Sequence, residues 1–188
     1  MSDGESRVSF RATLRSALAL DGHFYDNARN TYGNRRIARR IVILAALSHM
    51  LGSAVILLIN LAPLPVLPVA LLLDGLSVVG GYFFWTRTIA KIGQWLKPNH
   101  VTYEELLIPI GFAYAPQVLN FLTLVPFLGQ PIERILSVWS LLAVIVAVRQ
   151  GLDITTLVSG VICLAGWPVI QLAIGFVQVF QQELVRRF

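Results

Sequence analysis

Charge is what this sequence has least of. Asp, Glu, Lys and Arg make up 13% of its 188 residues, about half the share in an ordinary soluble domain, which is roughly 25%. Hydrophobic residues reach 56%, so a water-surrounded fold is excluded. Cysteine is nearly missing too. Cys163 stands alone, which rules out an intrachain disulfide and leaves the redox compartment unread. There is no Gly-x-Ser-x-Gly, no Walker loop and no His-Glu-x-x-His. His23, His49 and His100 are far apart. The chain therefore reads as a non-enzyme with no catalytic, metal or cofactor site. It has no early apolar run with a small-residue cleavage site, and neither end carries a lipidation motif. No basic face alternates with exposed aromatics, so the net charge of +5 points to a membrane surface and not to nucleic acid.

What is present is a series of apolar runs. Ile41–Leu61, Leu67 to about Ala90, Leu106–Leu128, Pro131–Val148 and Ile154–Phe180 each have the length to cross roughly 30 Å of hydrocarbon. They predict an all-α, multi-pass membrane bundle of about five helices. Residues 1–40 form a basic arm, 41–180 the membrane domain and 181–188 a polar tail. Twelve of the lysines and arginines fall on one side of such a bundle. Only Arg134, Arg186 and Arg187 fall on the other. By that asymmetry the N-terminus is cytoplasmic.

Within the arm, Phe10, Leu14 and Leu18 recur at helical spacing, and Arg7, Arg11 and Arg15 recur beside them. Such a helix can lie among lipid headgroups or pack on the protein's own loops. Phe24, Tyr25 and Tyr32 predict a second interfacial stretch, ended or bent at Gly33. Arg35, Arg36, Arg39 and Arg40 then precede the first apolar run. Each such charge attracts anionic headgroups by about 1 kcal/mol.

The organising stretch is Gly111–Pro116 in the third run, which holds Pro109, Pro116 and Pro126. Neighbouring helices and local 3₁₀ turns can satisfy the carbonyls freed by such prolines. Gly111 and Ala115 share a face and admit a close neighbour, with Pro116 at the kink. Gly52, Ser77 and Gly81 offer similar small surfaces on the first two helices. Phe112 lies on a different face, so a leucine there should matter less than one at Gly111.

Asp74 lies inside the second helix, where a charge costs at least about 2.5 kcal/mol. It reads either as an ion or proton site or as a buried, hydrogen-bonded carboxyl. Counting 1.5 Å per residue back from the connection puts His49 about 10 Å deeper, which argues against direct pairing. Asn120 is another candidate partner. Trp139 and Trp167 fall near the middle of helices four and five. There they fill gaps or contact a lipid, quinone or pigment.

From Thr102 onward the chain resembles the Yip family of Ypt/Rab-interacting membrane proteins. The resemblance is carried by Thr102-x-Glu104-Glu105-Leu106, by Gly111-Phe112-Ala113-x-Ala115-Pro116, by Leu128-Gly129, by Trp139 and by the Arg149–Asp153 turn. It implies a five-helix domain with a cytoplasmic N-terminus and, in eukaryotic members, vesicle-trafficking partners. The Asp-Leu-Tyr-Gly-Pro type of segment is missing here, which favours the prokaryotic branch. The expected function is a membrane scaffold that binds other integral membrane proteins or anionic lipid. The alternatives are an accessory subunit of a respiratory or photosynthetic complex, and a transporter or channel subunit using Asp74.

Overall fold

The structure, a computed structural model, describes residues 9–28, 32–59, 61, 63–96, 102–125 and 127–166, with the single positions 172, 175, 179 and 183. The regular elements among them are all helical, as the apolar runs predict. They are α1 (Phe10–Leu18), α2 (Gly22–Asp26), α3 (Tyr32–Ile59), α4 (Leu67–Leu96), α5 (Tyr103–Ala113), a 3₁₀ segment (Ala115–Leu124) and α6 (Gly129–Leu152). A shorter apolar helix, α7 (Thr156–Gly166), follows. Four spans are long and apolar enough to cross a membrane: α3, α4, α6, and α5 taken with its 3₁₀ continuation. Arg7, Trp167 and most of the expected fifth helix beyond Gly166 lie outside the described residues.

α3 neither ends nor bends at Gly33 but runs on through the arginine cluster. Hydropathy falls there while helix propensity does not, because arginine is a good helix former. Arg36 also donates to the Tyr32 hydroxyl at 2.6 Å and lies 4.6 Å from its ring centroid, a stabilising pair four residues apart. The expected boundary at residue 41 therefore falls inside a continuous helix.

α5 starts where its capping-box spacing predicts, with the Thr102 N–H donating to the Glu105 carboxylate at 3.1 Å. It stops short of Pro116. That proline cannot donate to the carbonyl of Phe112, so the α ladder ends and three-residue bonds replace it. Tyr114 N–H donates to Gly111 O, and Gln117 N–H to Tyr114 O. Leu106, Ile108, Ile110 and Phe112 of α5 are all buried, as befits a helix that is apolar on every side. Phe112, expected on a different face from Gly111, is 1% exposed, with its ring 5.0 Å from that of Phe24. Its face could not be read because every neighbouring position is apolar as well.

The arm folds back onto this core. Phe10, Leu14 and Leu18 pack against the buried cluster, Thr13 and Ala17 are buried, and Arg11 and Arg15 face outward. Leu20, in the left-handed region at φ 57°, reverses the chain. Asp21 then caps α2, accepting from the backbone N–H groups of His23 and Phe24. Two long-range hydrogen bonds fix the arm to α6: Trp139 Nε1 to the carbonyl of Leu18 at 3.0 Å, and Gln150 Nε2 to that of Gly22 at 3.1 Å.

Candidate functional site

α3 and α4 are joined by a turn in which Val66 N–H donates to Pro63 O and Ala70 N–H to Val66 O. Those bonds extend the helical rise of α4 back to Pro63. Asp74 is eleven residues beyond Pro63, and His49 is ten residues before Ile59. Both thus lie about 15 Å from the connected ends. The expectation that His49 is too deep is therefore overturned: it treated the connection as flat.

His49 Nδ1 is 2.8 Å from Asp74 Oδ2, and the Ser53 hydroxyl donates to the same oxygen at 2.7 Å. His49 and Ser53 are four residues apart, so one face of α3 presents both. Asp74 is 6% exposed. Ser77 donates instead to the main-chain carbonyl of Asp74, at 2.7 Å. Gly75 makes the close approach possible. A Cβ there would stand 2.5 Å from Met50 Sδ, so the Met50 side chain of α3 fills the space that a larger residue beside the acid would need. Sequence reasoning passed over Gly75; its position next to an intramembrane acid was the available signal.

The same short stretch of α3 meets the 3₁₀ segment. Phe121 N–H donates to the Ser48 hydroxyl at 2.7 Å. A Cβ at Gly52 would stand 3.1 Å from Thr123 Oγ1 and 3.7 Å from Asn120 Nδ2. Asn120 therefore approaches Gly52, while the hydrogen bonds of the Asp74 carboxylate run to His49 and Ser53.

Chemically, Asp74 Oδ2 accepts from the Ser53 hydroxyl and shares a hydrogen bond with His49 Nδ1 whose direction follows the histidine tautomer. In the tautomer that donates Nδ1–H to the carboxylate, His49 keeps a lone pair on Nε2. With an ionised Asp74, a proton added there would give a neutral imidazolium–carboxylate pair. The cluster can thus hold a proton without leaving net charge in the bilayer.

The other expected positions are used inside the chain. A Cβ at Gly111 would stand 3.0 Å from that of Ala38, and one at Gly81 would stand 3.9 Å from the Tyr114 hydroxyl oxygen. Ala115 and Pro116 are buried. Arg35 pairs with Glu104 at 3.3 Å, while Arg36, Arg39 and Arg40 are exposed. Trp139 borders an open apolar groove on α6 with Arg134, Ile135, Val138 and Leu142. Its expected companion Trp167 lies outside the described residues.

The chain is a multi-pass membrane protein by its four membrane-length apolar helices. No family model, curated protein or solved structure matches it.

Proposed function

We propose that this protein handles a proton or small cation at an intramembrane site formed by Asp74, His49 and Ser53, as a transporter or channel component does. One observation carries the reading. A buried carboxyl group eight residues into α4, about 15 Å from the end connected to α3, is hydrogen-bonded to His49 and Ser53 of the neighbouring helix. Acids inside a membrane are expensive, and linked acid–histidine groups are a recurring form of proton relay. A proton and a cation would compete for the cluster, since either cancels its single negative charge.

The scaffold reading draws less support. It needs small-residue faces for partners, and Gly52, Gly81, Gly111 and Ala115 are taken up by contacts within the chain. The Yip-like architecture, with five crossings and a cytoplasmic N-terminus, belongs to the same proposal. It rests on the quoted motifs and on the arginine asymmetry. Reporter fusions at both ends test that orientation, and two ends on one side would rule out five crossings.

For the site, the experiment is proton flux into vesicles reconstituted with the full chain, driven by a pH or cation gradient. Asp74→Asn and His49→Gln should each abolish most of the flux while the protein still assembles. Flux that persists in Asp74→Asn would refute the proposal.

A further inference from the structure

We infer that α1 has two docking partners. One is the bundle, on which it is packed here. The other is the headgroup layer of an anionic membrane, onto which it swings about Leu20. The docked position carries two costs. Thr13 is 2% exposed, and its hydroxyl oxygen has no hydrogen-bond partner among the described residues. Burying a hydroxyl without a partner opposes docking. Leu20 joins α1 to α2 with φ at 57°, a left-handed conformation that crowds a leucine side chain. Swinging α1 outward removes both costs, because water reaches Thr13 and Leu20 is free to take ordinary backbone angles.

Most of what α1 gives up, lipid replaces. Phe10, Leu14 and Leu18 pack against the core, and acyl chains at the headgroup boundary cover such a stripe equally well. Two polar ties hold the docked helix. Trp139 Nε1 donates to Leu18 O at 3.0 Å, and the Tyr25 hydroxyl donates to Ala17 O at 3.3 Å. With the apolar contacts balanced, these ties stand against the two costs, and charge decides.

Arg11 and Arg15 stand one turn apart on the outward face of α1. Both are exposed and have no ion pair among the described residues. Phe10–Leu18 contains no acidic residue. The helix thus offers two guanidinium groups beside an apolar stripe, which fits anionic headgroups above acyl chains and gains less from a neutral surface.

The hinge stands at the right height. The Phe24 ring of α2 lies 5.0 Å from that of Phe112, and Gly111 beside it meets Ala38 of α3. Ala38 falls between Arg36 and the pair Arg39 and Arg40, all three exposed. α2 is therefore level with the basic cluster that marks the edge of the apolar span. The bond from Gln150 Nε2 to Gly22 O holds α2 there, while α1, about 13 Å long, can move.

The test uses the full chain in lipid nanodiscs. Spin labels are placed on Ala12→Cys and Ile135→Cys, both at exposed positions, in a Cys163→Ala background. Phosphatidylcholine discs should give one short distance. Discs of equal parts phosphatidylcholine and phosphatidylglycerol should add a longer one, which high salt removes. Arg11→Gln with Arg15→Gln should lower the ratio of long to short roughly ten- to thirtyfold, the size expected for two basic charges near an anionic surface. Arg11→Lys with Arg15→Lys should keep most of it. Thr13→Val should lower the ratio severalfold, because the docked state then buries no unpaired hydroxyl. A single distance in both kinds of disc would overturn the exchange. An equal long population in phosphatidylcholine would rule out the anionic partner, and a ratio that Thr13→Val leaves unchanged or raises would remove the hydroxyl from the balance.

Discussion

The indole N–H of Trp139 donates to the main-chain carbonyl of Leu18, a contact between residues 121 apart in sequence. It ties the end of α1 to the middle of α6. A hydrogen bond of this kind contributes about 0.5–1.5 kcal/mol. Trp139→Phe should therefore loosen the arm while leaving the bundle intact. Trypsin should cut at Arg11 and Arg15 several-fold faster in the variant, with later sites unchanged. An unaltered cleavage rate would mean that the arm is held by its apolar side chains alone.

Gly111 and Ala38 provide a second measurable contact. A methyl group at Gly111 would meet Ala38 Cβ at 3.0 Å, closer than ordinary packing allows. Gly111→Leu should cost about 1–3 kcal/mol, and Gly111→Ala a smaller amount of the same sign. Ala38→Gly in the Gly111→Ala background should restore part of the unfolding temperature. A double-mutant cycle in detergent reads that coupling, and strict additivity would place the strain elsewhere. Phe112→Leu should also destabilise, because the ring is buried against Phe24.

At the intramembrane cluster, two substitutions separate volume from hydrogen bonding. Asp74→Asn keeps a polar partner for Ser53 and His49. Asp74→Ala leaves both without their shared acceptor, at a cost of about 1–3 kcal/mol. The alanine variant should therefore unfold at a clearly lower temperature than the asparagine variant. Equal unfolding temperatures would show that the pairing contributes nothing to the fold.

Tyr25, on α2, donates to the carbonyl of Ala17 at 3.3 Å. Burial pushes its hydroxyl above the ordinary value of 10.0. A raised folded-state pKa means that the stabilisation is complete below the unfolded value and fades as pH rises through the folded one. Arm docking should hold at pH 9 and weaken above pH 10. In Tyr25→Phe this part of the alkaline loss should disappear, although the variant starts slightly less stable. Thermal shift on both proteins at pH 9 and pH 11 makes the comparison.

Length, apolarity and proline positions made the helices legible, and Thr102 with Glu105 marked the start of α5. Other features followed from quantities that a one-dimensional pattern does not hold. The pairing of His49 with Asp74 depends on how far the Pro63–Val66 turn already climbs. The burial of Phe112 depends on what surrounds an element that is apolar on every side. The landing of α1 depends on whether its apolar stripe meets lipid or protein, and the stripe looks the same in both cases. The start of α3 at Tyr32 was hidden because arginine lowers hydropathy without ending a helix.

The 3₁₀ segment changes how this chain measures distance. Its rise of about 2.0 Å per residue lets ten residues reach roughly 20 Å, where an α-helix would reach about 15 Å. Three residues per turn also set side chains at every third position in line, so Gln117, Asn120 and Thr123 form a single polar row. Rewinding the segment as an α-helix would shorten it by about 5 Å and turn that row into a spiral. Gln117 would then lose its register with Ser140, and Asn120 and Thr123 theirs with Gly52. The contacts to α3 and α6 thus match the longer, 3₁₀ winding of the segment.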